Sequence, residues 1–546
     1  MRRMLLILLL LGVLSPNSAS AQSDSPPPEQ TAEQWREDLR FMAGQMKARH
    51  ANLYHDVSKE GFDDAVADLD RRIPQLQRNQ IIVGLMRIAA LVGDGHTRVD
   101  PRKDKAFAFR SLPLKLYWFD DGIFVRAASP EYRDLVGARI EAVGGVPVAQ
   151  AIARTSEIVS KETLSSARLM VPLYLAMPDI LHALDLSKNR STATLTMIRK
   201  GKRWSVELPA EEVAEMWPPD TDASFMTPAG WIDARTGPQP MWLQAPLDYH
   251  RLIPVPDARL LYAQLNMVSG TKDETLKAFG QRIFDQARAT NPKAVVLDLR
   301  LNQGGYGDLR NAFIPWLIRT EDVDTRLFVL VARGSFSASQ FILDDLERLT
   351  DAVLIGEPAS SRPTGYGDAY KSTLPNSGIA VRTSIKYWQS GQDKRPFTPI
   401  DIAAPLTFAD YVAGRDPGLA AAMAFTGESN LADRLEATAK NSGAQASVAA
   451  AKAYVDDPAH RYRDVERELV VSEQALLERK QRPAALDVSR WAAKRFPRNS
   501  DLATVWAYIA NAQGAKGEAR QAIATALAID PSNRSAQSIG ESIDKK

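Results

Sequence analysis

The chain has 546 residues, with 68 Lys and Arg against 66 Asp and Glu, and a formal net charge of +2. Its content of 45% hydrophobic and 25% charged residues is typical of a folded globular protein, which excludes wholesale disorder, and the near-balanced charge gives no indication of a nucleic-acid partner. The sequence contains no Cys, which excludes a thiol nucleophile, a disulfide scaffold, a Cys-ligated zinc site and an iron–sulfur cluster.

Residues 1–21 have the organisation of a secretory signal peptide. Two arginines near the N-terminus precede an apolar run at 5–14 that is too short to span a bilayer, and Ala19 and Ala21 form a small-residue cleavage site. Cleavage is therefore predicted after Ala21; the alternative is an ordinary buried helix. No later apolar run reaches about 18 residues, so the mature chain is expected to lack a membrane span and to be secreted or, given a bacterial source, periplasmic.

The next two regions differ in their patterns. Between residues 30 and 100, apolar residues recur at spacings of three, four and seven, which predicts a small N-terminal helical domain. Residues 112–209 contain short apolar runs separated by tight turns, such as Asp-Asp-Gly at 120–122, which predicts a compact β module with one helical interruption. A connection rich in Pro and Trp, at 216–256, leads onward.

Strands and helices are predicted to alternate through residues 255–410. Nearly all-apolar runs at 260–267, 294–299, 327–331 and 352–356 are typical of strands buried in a parallel sheet. Amphipathic segments lie between them. The succession predicts an α/β core built by crossover connections.

The region 430–546 is rich in Ala and is predicted to be helical. It has a period of 34 residues, because Pro-Arg-Asn at 497–499 recurs as Pro-Ser-Asn at 531–533. Alanines repeat at the same offset: Ala485 and Ala519, Ala492 and Ala526. This period resembles tetratricopeptide repeats, whose groove would suit a protein partner. The alternative is a generic helical bundle with a chance match.

Two Gly-rich loops contain candidates for chemistry. Gly-Asp-Gly-His-Thr at 93–97 places His96 in a turn after a helix, and histidine is the common base near neutral pH. The loop at 298–307 follows a buried strand and contains Gly304 and Gly305, whose backbone N–H groups can approach an anionic oxygen. Each loop also has a purely structural alternative. The loop at 93–97 would then be an ordinary surface loop, and the loop at 298–307 a tight strand-to-helix turn.

The third candidate segment is Gly-Ser-Phe-Ser-Ala-Ser-Gln at 334–340. It joins a strand to a helix, where a serine is displayed at the sheet edge beside a helix N-terminus; Ser337 is the first choice and Ser335 the second. The alternative is that these serines only cap the helix. Together, a hydroxyl nucleophile, a histidine base and a donor-rich Gly loop are the parts that acyl transfer requires.

With these motifs the chain resembles the tail-specific (carboxyl-terminal-processing) serine peptidases, and above all their tricorn-core and retinoid-binding-protein-like branch. The resemblance covers roughly residues 30–410. Further phrases that carry it are Gly-Glu-Pro at 356–358, Leu-Pro-Asn-Ser-Gly at 374–378 and Tyr-Trp-Gln at 387–389. It implies an α/β fold in which residues 112–209 form a PDZ-like domain and residues 255–410 a catalytic domain, a crotonase-like α/β sandwich.

The resemblance also implies roles for individual residues. Ser337 would be the nucleophile and His96 the base, because Arg362 stands where many members have a catalytic lysine, and arginine cannot lose its proton in a protein. Asp393 would be the third catalytic residue, with Asp401 as the weaker match. The implied oxyanion hole consists of Gly304, Gly305 and the backbone N–H of Ala338. No metal or organic cofactor is implied.

The sequence therefore predicts an exported serine-type peptidase that hydrolyses peptide or protein substrates by a Ser/His mechanism. The PDZ-like domain would gate access or hold the C-terminal end of a peptide by strand addition. Two alternatives belong to another class, since a fold does not imply a function. One is a non-catalytic ligand-binding protein on the retinoid-binding scaffold, and the other is a periplasmic recruiter that acts through the C-terminal repeats.

Overall fold

The structure, a computed structural model, describes residues 30–100, 107, 109–212, 225–321, 325–389, 395–427 and 430–544. The predicted signal peptide and Asp393 both lie outside the described residues. Within those ranges no helix is long and apolar enough to cross a membrane.

The N-terminal region is helical, as its 3.6-residue periodicity predicts. Its helices are α1 (Ala32–Arg49), α2 (Lys59–Arg72) and α3 (Arg78–Ala90). Thr31 begins α1 with a capping box, in which its side chain accepts the N–H of Gln34 and the Gln34 side chain accepts the N–H of Thr31. After α3 the chain turns through Gly93, at φ +81°, into the loop that contains His96. The short strand β1 (Arg98–Val99) follows.

The β module that follows is an antiparallel sheet interrupted by helices. Its strands are β2 (Arg110–Ser111), β3 (Leu114–Phe119), β4 (Gly122–Ala128), β5 (Arg139–Val143), β6 (Val146–Pro147), β7 (Thr192–Arg199), β8 (Lys202–Pro209), β9 (Glu211–Glu212) and β10 (Ile232–Asp233). The helices between β6 and β7 are α4 (Val148–Ser156), α5 (Leu164–Leu175) and α6 (Pro178–Ala183). The sheet order is β10-β4-β5-β7-β8, with β3 beside β4 and β6 beside β5, while β2 pairs with β9.

One continuous hydrophobic core joins this module to the N-terminal helices. It contains residues of α1 and α3, of the strands β3 to β8, and of a later segment around Leu374 and Val381. The two regions that the sequence analysis treats as separate domains, 30–100 and 112–209, therefore fold around a shared core.

The α/β region is a sheet with the order β11-β12-β13-β14-β15-β18. Its strands are β11 (His250–Val255), β12 (Leu260–Leu265), β13 (Ala294–Asp298), β14 (Arg326–Val331), β15 (Val353–Gly356) and β18 (Ile402–Ala403). The pairs from β12 to β18 are parallel, as predicted, and β11 is an antiparallel edge strand. The sequence analysis placed these residues in a connection because the region 216–256 is rich in Pro and Trp. The strand nevertheless contains Pro254, since proline is tolerated at a sheet edge, where its missing N–H is not needed.

Helices cover both faces of this sheet, because alternate side chains of each strand point to opposite sides. Leu261 and Ala263 pack with α7 (Leu276–Thr290), α8 (Arg310–Thr320) and α9 (Ala338–Leu349). Leu260 and Tyr262 face the other way, toward α11 (Pro417–Ala424), which follows the short helix α10 (Phe408–Ala413). The predicted mixed α/β fold class is confirmed, although the sheet and its cover extend beyond 255–410 at both ends.

A small sheet connects the His96 loop to the chain after β15. It has the order β1-β17-β16 and contains β16 (Thr364–Thr373) and β17 (Ala380–Gln389). Arg98 of β1 pairs with Arg382 of β17. This pairing fixes the loop that precedes β1 against a hairpin that follows the α/β sheet.

The C-terminal region is helical throughout its described residues. Its helices are α12 (Leu431–Ser442), α13 (Ala444–Val455), α14 (Val465–Glu478), α15 (Arg482–Arg495), α16 (Ser500–Ala512), α17 (Lys516–Ile529) and α18 (Arg534–Asp544). Each helix packs on the next or on the next but one. The repeated alanines are all fully buried: Ala485, Ala492, Ala519 and Ala526. Small residues at these positions let neighbouring helices approach closely.

Replacement of a buried repeat alanine should destabilise this region. We expect Ala526→Leu to cost about 1–3 kcal/mol of unfolding free energy, because a larger side chain overpacks a filled site. Ala524 lies on the same helix but is exposed, so Ala524→Leu should change the unfolding free energy by less than about 0.5 kcal/mol. Urea titrations followed by circular dichroism measure both. Equal effects of the two substitutions would contradict close packing at Ala526.

Glu473 in α14 predicts a pH-dependent stability. It is fully buried, and neither carboxyl oxygen has a hydrogen-bond partner among the described residues, so burial raises its pKa well above the ordinary 4.5. The folded protein therefore keeps a proton that the unfolded chain releases, and stability falls as pH rises above about 4.5. Thermal melts should show that Glu473→Gln gains stability relative to wild type between pH 4 and pH 8. A difference that stays constant over this range would show that Glu473 does not titrate in this way.

Candidate active site

His96 and Ser337 meet where the N-terminal core and the α/β core adjoin. Nε2 of His96 lies 3.0 Å from Oγ of Ser337, although 241 residues separate them in the chain. The His96 ring stacks on the ring of Phe336, with centroids 4.5 Å apart. The structure thus brings together the two residues that the sequence analysis selects as base and nucleophile, with the acceptor nitrogen within hydrogen-bond distance of the hydroxyl.

The backbone at Ser337 has a conformation that few residues other than glycine adopt. Ser337 is the N-cap of α9, with φ +57° and ψ −123°. Its N–H donates to Oγ of Ser361 at 2.9 Å. Gly304 lies so close that an added Cβ would be 2.7 Å from Cβ of Ser337. Strain of this kind persists only where the surrounding structure holds it, and it is common at functional sites.

Ser335, the second candidate, has a structural role instead. It is 1% exposed, and its hydroxyl donates to the carbonyl of Leu299 at 2.8 Å. The same hydroxyl accepts the N–H of Ala332 at 3.3 Å. These hydrogen bonds join the loop before Ser337 to the residue that follows β13. Because the Ser335 hydroxyl is buried and already paired, it is not available to react.

Asp94 holds the His96 loop in place. One of its carboxylate oxygens accepts the N–H of His96 at 2.8 Å, the N–H of Thr97 at 2.6 Å and the hydroxyl of Ser384 at 2.8 Å. The other oxygen lies 2.8 Å from Nε2 of the buried His50. Burial alone would raise the pKa of Asp94, but the hydrogen bonds from His50, Ser384 and Thr97 lower it to about 2. The carboxylate is therefore ionised at neutral pH, and its hydrogen bonds with His96, Thr97 and Ser384 fix the loop to β17.

A carboxylate that the sequence analysis did not select lies beside His96. Oε1 of Glu162 is 3.7 Å from Nδ1 of His96 and accepts the N–H of Gly95 at 3.1 Å. Its Oε2 accepts the N–H of Arg362 at 2.9 Å. Nδ1 of His96 is buried, and among the described residues it has no hydrogen-bond partner. No motif marks Glu162 in the sequence, since it lies between α4 and α5 and reaches His96 only through the tertiary fold.

The other polar candidates lie elsewhere or act differently. Asp401 accepts the N–H of Leu354 at 2.8 Å, and burial raises its pKa. In the described part of the chain, Asp401 has no hydrogen bond or ion pair with His96 or Ser337. Nε of Arg362 donates to the carbonyl of Glu162 at 2.8 Å. Arg362, which stands where many tail-specific peptidases have a lysine, therefore stabilises the loop that contains Glu162.

The predicted oxyanion hole keeps two of its three donors. The N–H of Gly304 donates to Oδ1 of Asn302 at 2.9 Å, and its carbonyl accepts the N–H of Val268. The N–H groups of Gly305 and Ala338 have no acceptor among the described residues. Gly305 must be glycine, because at its φ of +136° a Cβ would lie 2.4 Å from the carbonyl oxygen of Val268. Two backbone donors thus remain beside Ser337.

Two cavities meet at the His96–Ser337 pair. The α5 cavity, of about 230 Å³, has both polar and apolar walls and is lined by Gly95, His96, Arg98, Val99, Ile158, Val159, Ser160, Ser166, Leu169, Met170, Tyr174, Gln303, Phe336, Ser337 and Ser360. The Gly305 cavity, of about 40 Å³, is lined by His96, Glu162, Gly305, Gly307, Ser337, Ala338, Gln340, Phe341, Ser361, Arg362, Gly365, Tyr366, Gly367, Asp368 and Trp388. His96 and Ser337 are the residues that line both cavities.

A buried ion pair fixes the loop that precedes Ser337. Arg333 donates two hydrogen bonds to the carboxylate of Glu357, at 2.8 and 2.9 Å, and a third at 2.6 Å to the carbonyl of Trp118 in β3. Arg168 of α5 lies 3.4 Å from the same carboxylate. Burial alone would raise the pKa of Glu357, but Arg333 and Arg168 hold it below the usual value.

Comparison with known proteins finds likeness in structure. No protein-family model matches the chain, and no curated protein matches its sequence. Mature CPAF in complex with lactacystin is 14% identical, with a TM-score of 0.48 and coverage of 70% of this chain and 96% of that one. The photosystem II D1 C-terminal processing protease is 14% identical, with a TM-score of 0.32 and coverage of 70% and 98%.

The tricorn protease is 13% identical, with a TM-score of 0.35 and coverage of 72% of this chain and 36% of that one. These solved structures are proteases of the kind that the sequence motifs resemble. At such identities and TM-scores, the likeness concerns the fold alone, and the function has to be argued from the residues of the site.

Proposed function

We propose that the protein is a serine-type peptidase in which Ser337 is the nucleophile and His96 the general base. The observation that carries this proposal is the 3.0 Å contact between Nε2 of His96 and Oγ of Ser337, made by residues from different cores. A serine that merely caps a helix needs neither a histidine partner nor a φ of +57°. The proposed substrate is a peptide or protein chain.

The reaction begins when Oγ of Ser337 bonds to the carbonyl carbon of the scissile peptide while His96 accepts the hydroxyl proton. The carbonyl oxygen gains the negative charge, and the N–H groups of Gly305 and Ala338 donate to it. Removal of one such donor from a preorganised site typically costs about 10²–10³ in kcat.

In the second half, His96 gives its proton to the amine nitrogen, the C–N bond breaks, and the amine leaves an ester on Ser337. Water then attacks the ester carbon as His96 accepts its proton. The bond from that carbon to Oγ breaks, His96 returns the proton to Oγ, and the carboxylic acid product leaves and releases its proton to solvent. Electrons and protons balance with no cofactor.

Glu162 would orient and stabilise His96. To accept the serine proton on Nε2, neutral His96 must carry its own proton on Nδ1, which faces Oε1 of Glu162. The present 3.7 Å would shorten as the imidazolium ion forms, since catalytic hydrogen bonds often tighten only during the reaction. We therefore assign to Glu162 the role that the family resemblance gives to Asp393.

The site favours this function over the ligand-binding alternative. A retinoid-binding protein would be expected to enclose its ligand in a sealed apolar cavity. Here the α5 cavity has polar walls as well as apolar ones and ends at Ser337 and His96, and its volume of about 230 Å³ is below the roughly 300–1,000 Å³ of pockets for drug-sized ligands. Export, and a partner for the C-terminal helices, stay predictions from the sequence.

Replacement of Ser337 tests the nucleophile. We expect Ser337→Ala to lower kcat for a fluorogenic peptide by on the order of 10³ or more, because among the described residues no other hydroxyl forms a hydrogen bond with His96. A fluorophosphonate probe should label Ser337 in the mature protein, as mapped by mass spectrometry, and His96→Gln should suppress that labelling. Label on another residue, or wild-type turnover in Ser337→Ala, would move the active site elsewhere.

Replacement of Glu162 tests the third residue. We expect Glu162→Gln to lower kcat by about 100-fold or more with little change in KM, since an amide no longer stabilises the imidazolium ion. Glu157 offers a control in the same segment: its side chain is 57% exposed and pairs with Arg87, so Glu157→Gln should keep wild-type kcat.

Thermal melts of both variants separate a catalytic effect from a loosened loop. If Glu162→Gln melts near wild type and yet retains full kcat, the assignment of Glu162 is wrong.

A further inference from the structure

One segment of the C-terminal region contacts both hydrophobic cores. Residues 458–464 join α13 to α14, and this linking segment lies against β18, the last strand of the α/β sheet. The carbonyl of Tyr462 accepts the N–H of Ile400 at 3.0 Å, and the Tyr462 side chain packs on the α/β core. Arg463 donates to the carbonyl of Asp401 at 3.1 Å. The C-terminal helices are therefore anchored to the α/β core.

The preceding residue, Arg461, reaches the other core. Its guanidinium donates two hydrogen bonds, at 3.2 and 3.1 Å, to the two carboxylate oxygens of Asp120 in the turn between β3 and β4. Residues of β3 and β4 pack in the core that the β module shares with the N-terminal helices. Because Arg461 and Tyr462 are adjacent in the chain, one short piece of backbone holds both cores.

Charged side chains of alternating sign connect Asp120 to the loop before α9. Arg168 of α5 lies 3.6 Å from the carboxylate of Asp120 and 3.4 Å from that of Glu357. Glu357 in turn accepts two hydrogen bonds from Arg333 of that loop. The series runs from the surface inward, since the Asp120 side chain is 28% exposed and that of Arg333 3%. The contacts of Arg461 are thus continuous with those that support this loop.

We propose that Arg461 is a positioning residue for the pair of His96 and Ser337, because the linking segment holds the two cores at the distance that this pair requires. The inference rests on the proposed function. Each anchor of the segment alone would fix the C-terminal helices to one core, and only the two together fix the cores relative to each other. Loss of the Arg461 guanidinium leaves Asp120 with Arg168 and frees the β3–β4 turn and α5 from the C-terminal region.

The effect is expected in the rate rather than in the stability. An ion pair that is partly exposed contributes little to stability, although its two parallel hydrogen bonds add geometric precision. Catalysis is more sensitive to position, because a displacement of about 1 Å caused far from the reacting atoms can lower the rate by about 100-fold. Loss of this contact should therefore lower kcat without lowering the melting temperature.

The kinetics of Arg461 variants test this role. We measure kcat with a fluorogenic peptide and normalise it to the active sites that a fluorophosphonate titrates. Arg461→Gln should lower kcat about three- to tenfold and change KM by less than about twofold, since no substrate contact is removed. Arg461→Lys keeps the charge but not both hydrogen bonds, so its kcat should lie between those of wild type and Arg461→Gln. Asp120→Asn combined with Arg461→Gln should lower kcat no further than Asp120→Asn alone, because both remove one contact.

Arg479 provides a matched control in the same region. Its side chain is 37% exposed, close to the 33% of Arg461, and it donates to the carboxylates of Asp433 and Glu436 at 2.7 and 2.8 Å. Both partners lie in α12, so these contacts stay within the C-terminal helices. Arg479→Gln should therefore keep the kcat of wild type. Equal kcat values for Arg461→Gln and Arg479→Gln would overturn the role of Arg461.

A distance measurement keeps this outcome separate from that of the proposed function. The chain contains no Cys, so spin labels can be attached at two introduced cysteines, Glu60→Cys on α2 and Lys277→Cys on α7, where both positions are exposed. Double electron–electron resonance then reports the distance between the two cores. Arg461→Gln should shift or broaden the distance distribution, and Arg479→Gln should leave it unchanged. An unchanged distribution in Arg461→Gln overturns the positioning role, whereas a changed distribution in a protein that hydrolyses no peptide overturns only the peptidase.

Discussion

The site depends on one constraint: Ser337 and His96 belong to different hydrophobic cores and must stay 3.0 Å apart. Packing within either core cannot enforce this distance. Polar contacts between the cores do so: Arg333, which pairs with Glu357, also donates to the carbonyl of Trp118 in the other core, and Arg168 of α5 lies 3.4 Å from the carboxylate of Glu357. Removal of one partner from a buried pair of this kind typically costs about 3–5 kcal/mol, because the other charge is left uncompensated.

The region predicted to be a PDZ-like gate is part of the site itself. It supplies Glu162 and part of the walls of the α5 cavity, and it shares a core with the helices that precede the His96 loop. Ser166 of α5 donates to the carbonyl of Ser360, whose neighbour Ser361 accepts the N–H of Ser337. A movement of α5 would therefore alter the cavity, the position of Glu162 and the support of Ser337 together. The shape of the cavity and the geometry of the proposed catalytic residues are therefore coupled through one helix.

The features that could be predicted from the sequence are those that depend on residues close together in the chain. Apolar runs identify the buried parallel strands, and the loops around His96 and Ser337 stand out because glycine and serine follow regular elements. Glu162 could not be predicted, since its role arises from a contact with His96, 66 residues away, that only the packed core creates. The loop glycines could be predicted as a set, but only the structure shows that Asn302 occupies the N–H of Gly304. Which backbone N–H groups are already paired depends on the folded structure and cannot be inferred from the sequence.

The backbone strain at Ser337 explains why so many neighbours converge on it. A non-glycine residue at φ +57° costs on the order of 1–3 kcal/mol, which the surroundings must offset. The hydrogen bond to Ser361 offsets part of it, and Gly304 packs so closely against this turn that a Cβ on it would lie 2.7 Å from Cβ of Ser337. The same turn leaves the N–H of Ala338 unpaired beside Oγ. The strained turn therefore places Ser337 directly before α9, with the unpaired N–H of Ala338 next to it.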